Sequence, residues 1–139
     1  MRKLSILLML AVSLVSCDKE KDPTDCQQMT CDASFSMLGI SFTDKDGKGV
    51  AVKDYSAINL RTGEEIKPAI VASLNLVPGY YVVIDDSYRK KVSATGDDIK
   101  VTGTYEATGQ TKTATLKVAG GECACHVTKI SGPDKVAFD

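Results

Sequence analysis

Read from Met37 onward, apolar and polar positions alternate with a period of two over much of the chain. Leu38, Ile40 and Phe42 share one face of an extended segment, with Ser41 and Thr43 on the other. Ile99, Val101 and Tyr105 alternate with Lys100, Thr102, Thr104 and Glu106. Ala114, Leu116 and Val118 alternate with Thr113, Thr115 and Lys117. A strand places successive side chains on opposite faces, so this pattern predicts sheets buried on one side. Tyr80 to Ile84 is apolar at every position and predicts a central strand. Ile58 and Leu60 mark another strand, ending at Thr62-Gly63. Lys67-Pro68 interrupts the next segment and makes Ala69 to Leu76 an edge strand or a looser connection. Turn signals recur at Asp46-Gly47-Lys48-Gly49, Pro78-Gly79, Thr95-Gly96-Asp97, Gly120-Gly121 and Gly132-Pro133, and Thr108-Gly109-Gln110 joins two alternating segments as a hairpin. The expectation is all-β: a single antiparallel β-sandwich of about seven to eight strands.

The first residues break this pattern. Met1-Arg2-Lys3 is positive, and Leu4 to Val15 is a run of apolar and small residues with the length of a secretory core, short for a membrane span. It ends in Leu14-Val15-Ser16-Cys17. A small residue directly before a cysteine resembles the lipobox of bacterial lipoproteins, which implies cleavage before Cys17 and acylation of its thiol. Asp18-Lys19-Glu20-Lys21-Asp22-Pro23 comes next, too charged to bury apolar surface, and reads as a solvated tether. An acid-rich stretch in that place is similar to the surface-export signal of Bacteroidota lipoproteins. The expected organisation is a signal peptide over 1–16, a lipidated cysteine and tether over 17–30, and the sandwich over 31–139. The expected location is the outer membrane, anchored by lipid and surface-exposed, with the periplasmic face as the alternative.

Of the 139 residues, 123 remain once 1–16 are removed, enough for one core. Arg2 and Lys3 leave with the signal, so the mature chain sets fifteen basic against eighteen acidic residues with no basic block. That disfavours nucleic acid as a partner, and membrane contact is expected through the lipid on Cys17 alone.

Cys26, Cys31, Cys123 and Cys125 remain beside Cys17. In an oxidising compartment four thiols read first as two disulfides. On a strand, Cys123 and Cys125 would share a face and not reach each other, which favours pairing each with Cys26 or Cys31; a local Cys26–Cys31 bridge is the competitor. Structural zinc, held by these cysteines and His126, is disfavoured by spacing, since a strand sends Cys125 and His126 to opposite faces. No Cys-x-x-Cys pair is present for redox chemistry. No metal or other cofactor is expected.

Two stretches carry a family resemblance. Phe42-Thr43-Asp44-Lys45-Asp46-Gly47-Lys48-Gly49-Val50 resembles the first hairpin of carboxypeptidase-regulatory-like domains, the transthyretin-like sandwiches of exported bacterial proteins. Leu76-Val77-Pro78-Gly79-Tyr80-Tyr81-Val82-Val83 is similar to their later Pro-Gly-Tyr strand entry. Together they cover about a third of the mature chain. The chain departs from that pattern after Tyr88, so an immunoglobulin-like topology stays open. The whole chain also resembles small uncharacterised lipoproteins of the Bacteroidota type.

Signatures of catalysis are sparse. His126 is the only histidine, and there is no Gly-x-Ser-x-Gly, His-Glu-x-x-His or phosphate-binding glycine loop. Asp85-Asp86 and Asp97-Asp98 are adjacent pairs whose members face opposite ways on a strand, and each reads as turn capping. Asp44-Lys45-Asp46-Gly47 resembles the start of a calcium loop, but its twelfth position is Tyr55 and not an acid, which excludes an EF-hand. Tyr80, Tyr81 and Tyr88 are candidate platforms for a sugar ring, against the plainer reading that they cover sheet edges. The expectation is a non-enzymatic binding, adhesion or accessory module with a protein or glycan ligand. The alternative is a periplasmic metal-binding or hydrolytic protein using His126 with Cys123 and Cys125.

Overall fold

The computed structural model describes Cys26, residues 30–69 and residues 77–139. Cys17, the signal peptide, most of the charged tether and all of the Ala69–Leu76 stretch except Ala69 lie outside the described residues. Seven strands form: β1 (Met37–Thr43), β2 (Val52–Asn59), β3 (Tyr80–Asp85), β4 (Asp97–Tyr105), β5 (Thr111–Ala119), β6 (Thr128–Ser131) and β7 (Lys135–Ala137). They build two sheets, ordered β3-β1-β7 and β2-β4-β5-β6, which makes the domain an all-β sandwich. It is not wholly antiparallel. β7 runs parallel to β1, with Phe42 opposite Val136, while every other pairing is antiparallel.

The alternation in β4 and β5 becomes burial. Ile99, Val101, Leu116 and Val118 are fully buried, and the register sets Ile99 against Leu116 and Lys100 against Thr115. From the other sheet Ile40, Phe42, Val83 and Ile84 close the core. Each such side chain contributes about 1.5–3 kcal/mol through the apolar surface it removes from water. Phe42 sits at the centre of an aromatic group, stacked on Phe138 at 5.8 Å and edge-on to Tyr81 at 5.6 Å and Tyr55 at 6.3 Å. Gly79 opens β3 at φ 80°, and a Cβ there would fall 2.4 Å from the Phe42 carbonyl oxygen; Pro78-Gly79 therefore packs against β1 as only glycine allows.

Three sequence expectations are corrected. Among the described residues the Tyr80–Ile84 strand is not central: β3 stands at the end of the order β3-β1-β7. It is apolar on both faces because its outer flank is covered too, by Tyr55 and the Glu65–Pro68 stretch. β2 ends at Asn59, so Leu60 falls outside the strand and is 51% exposed; the strand's buried positions are Val52, Ala57 and Asn59. A register shift between Lys53 and Ser56, with Asp54 at φ 53°, sets that phase. The Cys123–His126 stretch is irregular and not a strand. After β3 the chain also makes a 3-10 helix, Asp86–Lys91, begun by Asp85, whose side chain accepts from Ser87 N at 3.0 Å.

Candidate functional site

Two places gather polar chemistry: the pole where the ends of the domain are joined, and the flank between β2 and β3. At the pole, Cys26 is bonded to Cys123 and Cys31 to Cys125, with Cα–Cα distances of 5.2 and 5.3 Å. Because the Cys123–His126 stretch turns rather than extends, its two cysteines each reach a different partner. The bridges join the segment before β1, in one sheet, to the segment between β5 and β6, in the other. Both sulfurs beside His126 are thereby consumed, and neither is a free thiolate for metal or acid–base chemistry. Among the described residues no group of three or more His, Cys, Asp or Glu side chains is placed to hold a metal ion.

His126 lies between two carboxylates. Its Nδ1 is 2.7 Å from Asp86 Oδ2 and its Nε2 is 3.2 Å from Asp32 Oδ1. Asp86 is fixed from the backbone as well: Oδ2 accepts from Ser36 N at 2.7 Å and Oδ1 from Val127 N at 2.8 Å. Asp32 Oδ1 also accepts from Ser34 N at 2.9 Å and from the Ser34 hydroxyl. The hydrogen bond to Asp86 is the main cause that holds the His126 pKa above its ordinary value, opposed by partial desolvation and aided by Asp32. Asp32 is held below the usual carboxylate range, chiefly by Ser34. For Asp86, burial pushes upward, but the bonds from His126, Ser36 and Val127 outweigh it and the net shift is down. An acceptor at each ring nitrogen calls for an imidazolium, with both N–H groups donating.

Ser34 Oγ is 3.4 Å from Nε2, so Ser34, His126 and Asp86 stand in the order of a nucleophile, base and orienting acid. A doubly protonated ring cannot take a proton from serine, and the Ser34 hydroxyl is given to Asp32. With both ring nitrogens protonated the cluster is an ion-pair network; it becomes a relay only once Nε2 is free.

On the flank, tyrosines cross between the sheets. Tyr81 on β3 accepts from Val52 N at 2.8 Å and donates to Val52 O at 3.2 Å; Tyr55 on β2 donates to Val82 O at 2.9 Å. Their rings stack at 4.8 Å, and burial, aided by Tyr81 and Tyr80, drives the Tyr55 pKa upward. Tyr88 repeats the arrangement, accepting from Lys67 N at 2.8 Å and donating to Lys67 O at 3.3 Å, while Lys91 Nζ covers its ring at 4.9 Å. A cleft of about 180 Å³ lies beside these rings, walled by Tyr55, Ala57, Ile66, Pro68, Tyr81 and Val82, with Ser56, Glu65, Lys67 and Tyr80 also lining it. A second hollow of about 210 Å³ shares Tyr80 and Tyr81 and runs on to Pro78 and Val77. Of the three platform tyrosines, Tyr80 and Tyr81 line the cleft and Tyr88 is occupied elsewhere.

Asp97, Asp98 and Asp44 resolve as structure. Asp97 is buried and accepts from Arg61 Nε at 2.7 Å, Arg61 Nη2 at 2.8 Å and Asn59 Nδ2 at 2.7 Å; Arg61 first, then Asn59, holds its pKa down against burial. Asp98, on the other face, is exposed. Asp44 Oδ1 accepts from Asp46 N at 3.0 Å and Lys48 N at 2.9 Å, closing its turn on itself rather than facing an ion. Sequence reasoning placed His126 beside the cysteines but missed Asp32, Ser34 and Asp86 as its partners. No family model matches the chain, and neither a curated protein nor a solved structure is significantly similar to it.

Proposed function

We propose that the protein is a lipid-anchored lipoprotein of the outer membrane or cell surface, held through Cys17, and acts as a non-catalytic binding module. Its transthyretin-like or immunoglobulin-like character belongs to the same proposal. The observation that carries it is a disulfide-stapled N-terminal segment in a domain that also has a tyrosine-lined cleft. The segment leading from the N-terminus is stapled at one pole by two disulfides, and the tyrosine-lined cleft opens on the flank between β2 and β3. Two disulfides in so small a domain suit an oxidising compartment outside the cytoplasm. Cleft walls that are mostly apolar, with Ser56, Glu65, Lys67 and Tyr80 adding hydrogen-bonding groups, suit a ring-bearing ligand such as a sugar unit. Metabolic labelling with an alkynyl fatty acid tests the anchor: wild type takes the label and Cys17→Ala does not. Equal labelling of both overturns it. Protease treatment of whole cells then separates surface from periplasmic display. Titration with glycan panels tests the cleft, with Tyr80→Ala expected to abolish any binding found.

A second reading, hydrolysis, rests on the order Ser34–His126–Asp86 alone. It requires labelling of Ser34 by a fluorophosphonate above the His126 pKa. No labelling at any pH from 6 to 9 removes it.

A further inference from the structure

The residues around His126 come from three separated stretches: Asp32 and Ser34 from the segment before β1, Asp86 from the start of the 3-10 helix, and His126 itself from the segment after Cys125. The two carboxylates differ in kind. Asp86 is 10% exposed and pinned by two backbone amides, so it cannot follow the ring. Asp32 is 73% exposed, and the bonds it makes besides His126 are to Ser34, its own neighbour. One arm of the imidazolium is therefore built in and the other is detachable.

We propose that Asp32, Ser34, His126 and Asp86 form a proton-operated latch on residues 32–35, the stretch between the Cys31 bridge and Ser36. With both ring nitrogens protonated, His126 spans from Asp86 to Asp32 and holds that stretch against the pole. When Nε2 gives its proton to solvent, its lone pair faces the Asp32 carboxylate, and an attraction becomes a repulsion. Nδ1–H goes on donating to Asp86, and the Asp32 arm lets go while Ser34 stays with Asp32. His126 is the only histidine in the chain and the group whose ordinary titration falls nearest neutral pH. The other charged groups on the surrounding elements are Asp85, Arg89, Lys90, Lys91 and Glu122. Asp85 accepts from Ser87 and Ala69, Arg89 donates to Ala124 O, Lys90 pairs with Glu122 and Lys91 with Glu64. Cys26 and Cys31 stay bridged to Cys123 and Cys125 in both states, so the latch acts on residues 32–35 alone; it rests only on the geometry of the cluster.

The test is an NMR titration of the disulfide-intact chain, following the single histidine ring together with backbone 15N–1H NOE values at residues 32–35. The expected result is a His126 pKa above about 6.5 and NOE values at 32–35 that fall as the ring deprotonates, while those at Ile99 and Val101 hold. Asp32→Asn should weaken proton binding about two- to five-fold, as for an exposed ion pair. Asp86→Asn should weaken it by about ten-fold or more, as the less exposed arm. Asp86 also holds two backbone amides, so that variant can lose the fold. Asp32→Asn touches only the exposed arm and keeps the test decisive. A His126 pKa unchanged by Asp32→Asn, or NOE values at 32–35 that stay flat through the titration, overturns the latch. Neither result depends on whether Cys17 carries lipid.

Discussion

On the flank between β2 and β3, two tyrosines reach from sheet to sheet and bond to backbone groups across the gap. At the pole, the same two sheets are joined by two disulfides and a histidine ring held between carboxylates. The flank uses neutral hydrogen bonds set in apolar packing, which neither reductant nor a pH change near neutrality alters. The pole uses chemistry that depends on oxidation and on a proton. A sandwich whose sheets share no strand needs closing on more than one side. Here one closure is unconditional and the other is conditional.

The contrast can be broken most strongly where the flank tyrosines meet the core. Phe42→Ala empties the space between Tyr55, Tyr81 and Phe138 and should cost about 3–5 kcal/mol, read from urea unfolding, with the loss unchanged by reductant. The pole should respond next, and unevenly. The bridges close chain segments separated by 97 and 94 residues. Once one is formed, the second closes only a short circuit, so removing either alone should cost about 2 kcal/mol. Removing both releases the long loop and should cost more than twice as much. Equal, additive losses would show that the bridges act through local contacts instead of through the unfolded chain.

Much of the flank and core was legible in local sequence, and little of the pole was. Ile99 to Val101 and Leu116 to Val118 declare their faces by alternation, because a strand's burial pattern is written in consecutive residues. Which strand stands at a sheet edge is not written there. Tyr80–Ile84 looked central because its outer side is covered by residues distant in sequence, among them Tyr55, bonded to Val82 across 27 positions. His126 is further still from its partners, 94 residues from Asp32 and 40 from Asp86. Only the fold, held by the bridges, brings them together. The four cysteines beyond Cys17 were the sequence signal pointing to that pole.

Smaller effects sharpen the comparison. Tyr81→Phe removes the bonds to Val52 while keeping the ring, and should cost about 1 kcal/mol at every pH from 5 to 9. The His126 contribution should instead vary. Its pKa is raised by folding, so its stabilisation is fully present below its unfolded value of about 6.5 and is lost as pH rises through the folded value. Asp86 is lowered, so its share is present above the ordinary carboxylate value and lost as pH falls through the folded one. The difference in Tm between wild type and His126→Gln should therefore be largest between about pH 5 and 6.5 and shrink on either side. A constant difference would mean that the ring acts by packing.

The double use of single tyrosine hydroxyls has one more consequence. Tyr81 takes both the N–H and the C=O of Val52, and Tyr88 takes both groups of Lys67. At Val52, on the outer strand β2, these are the groups that an incoming strand from a neighbouring copy would seek. Where each is already engaged by a side chain of the same molecule, strand exchange and fibre growth have no starting rung. Crowded copies would meet there as closed particles, not as templates.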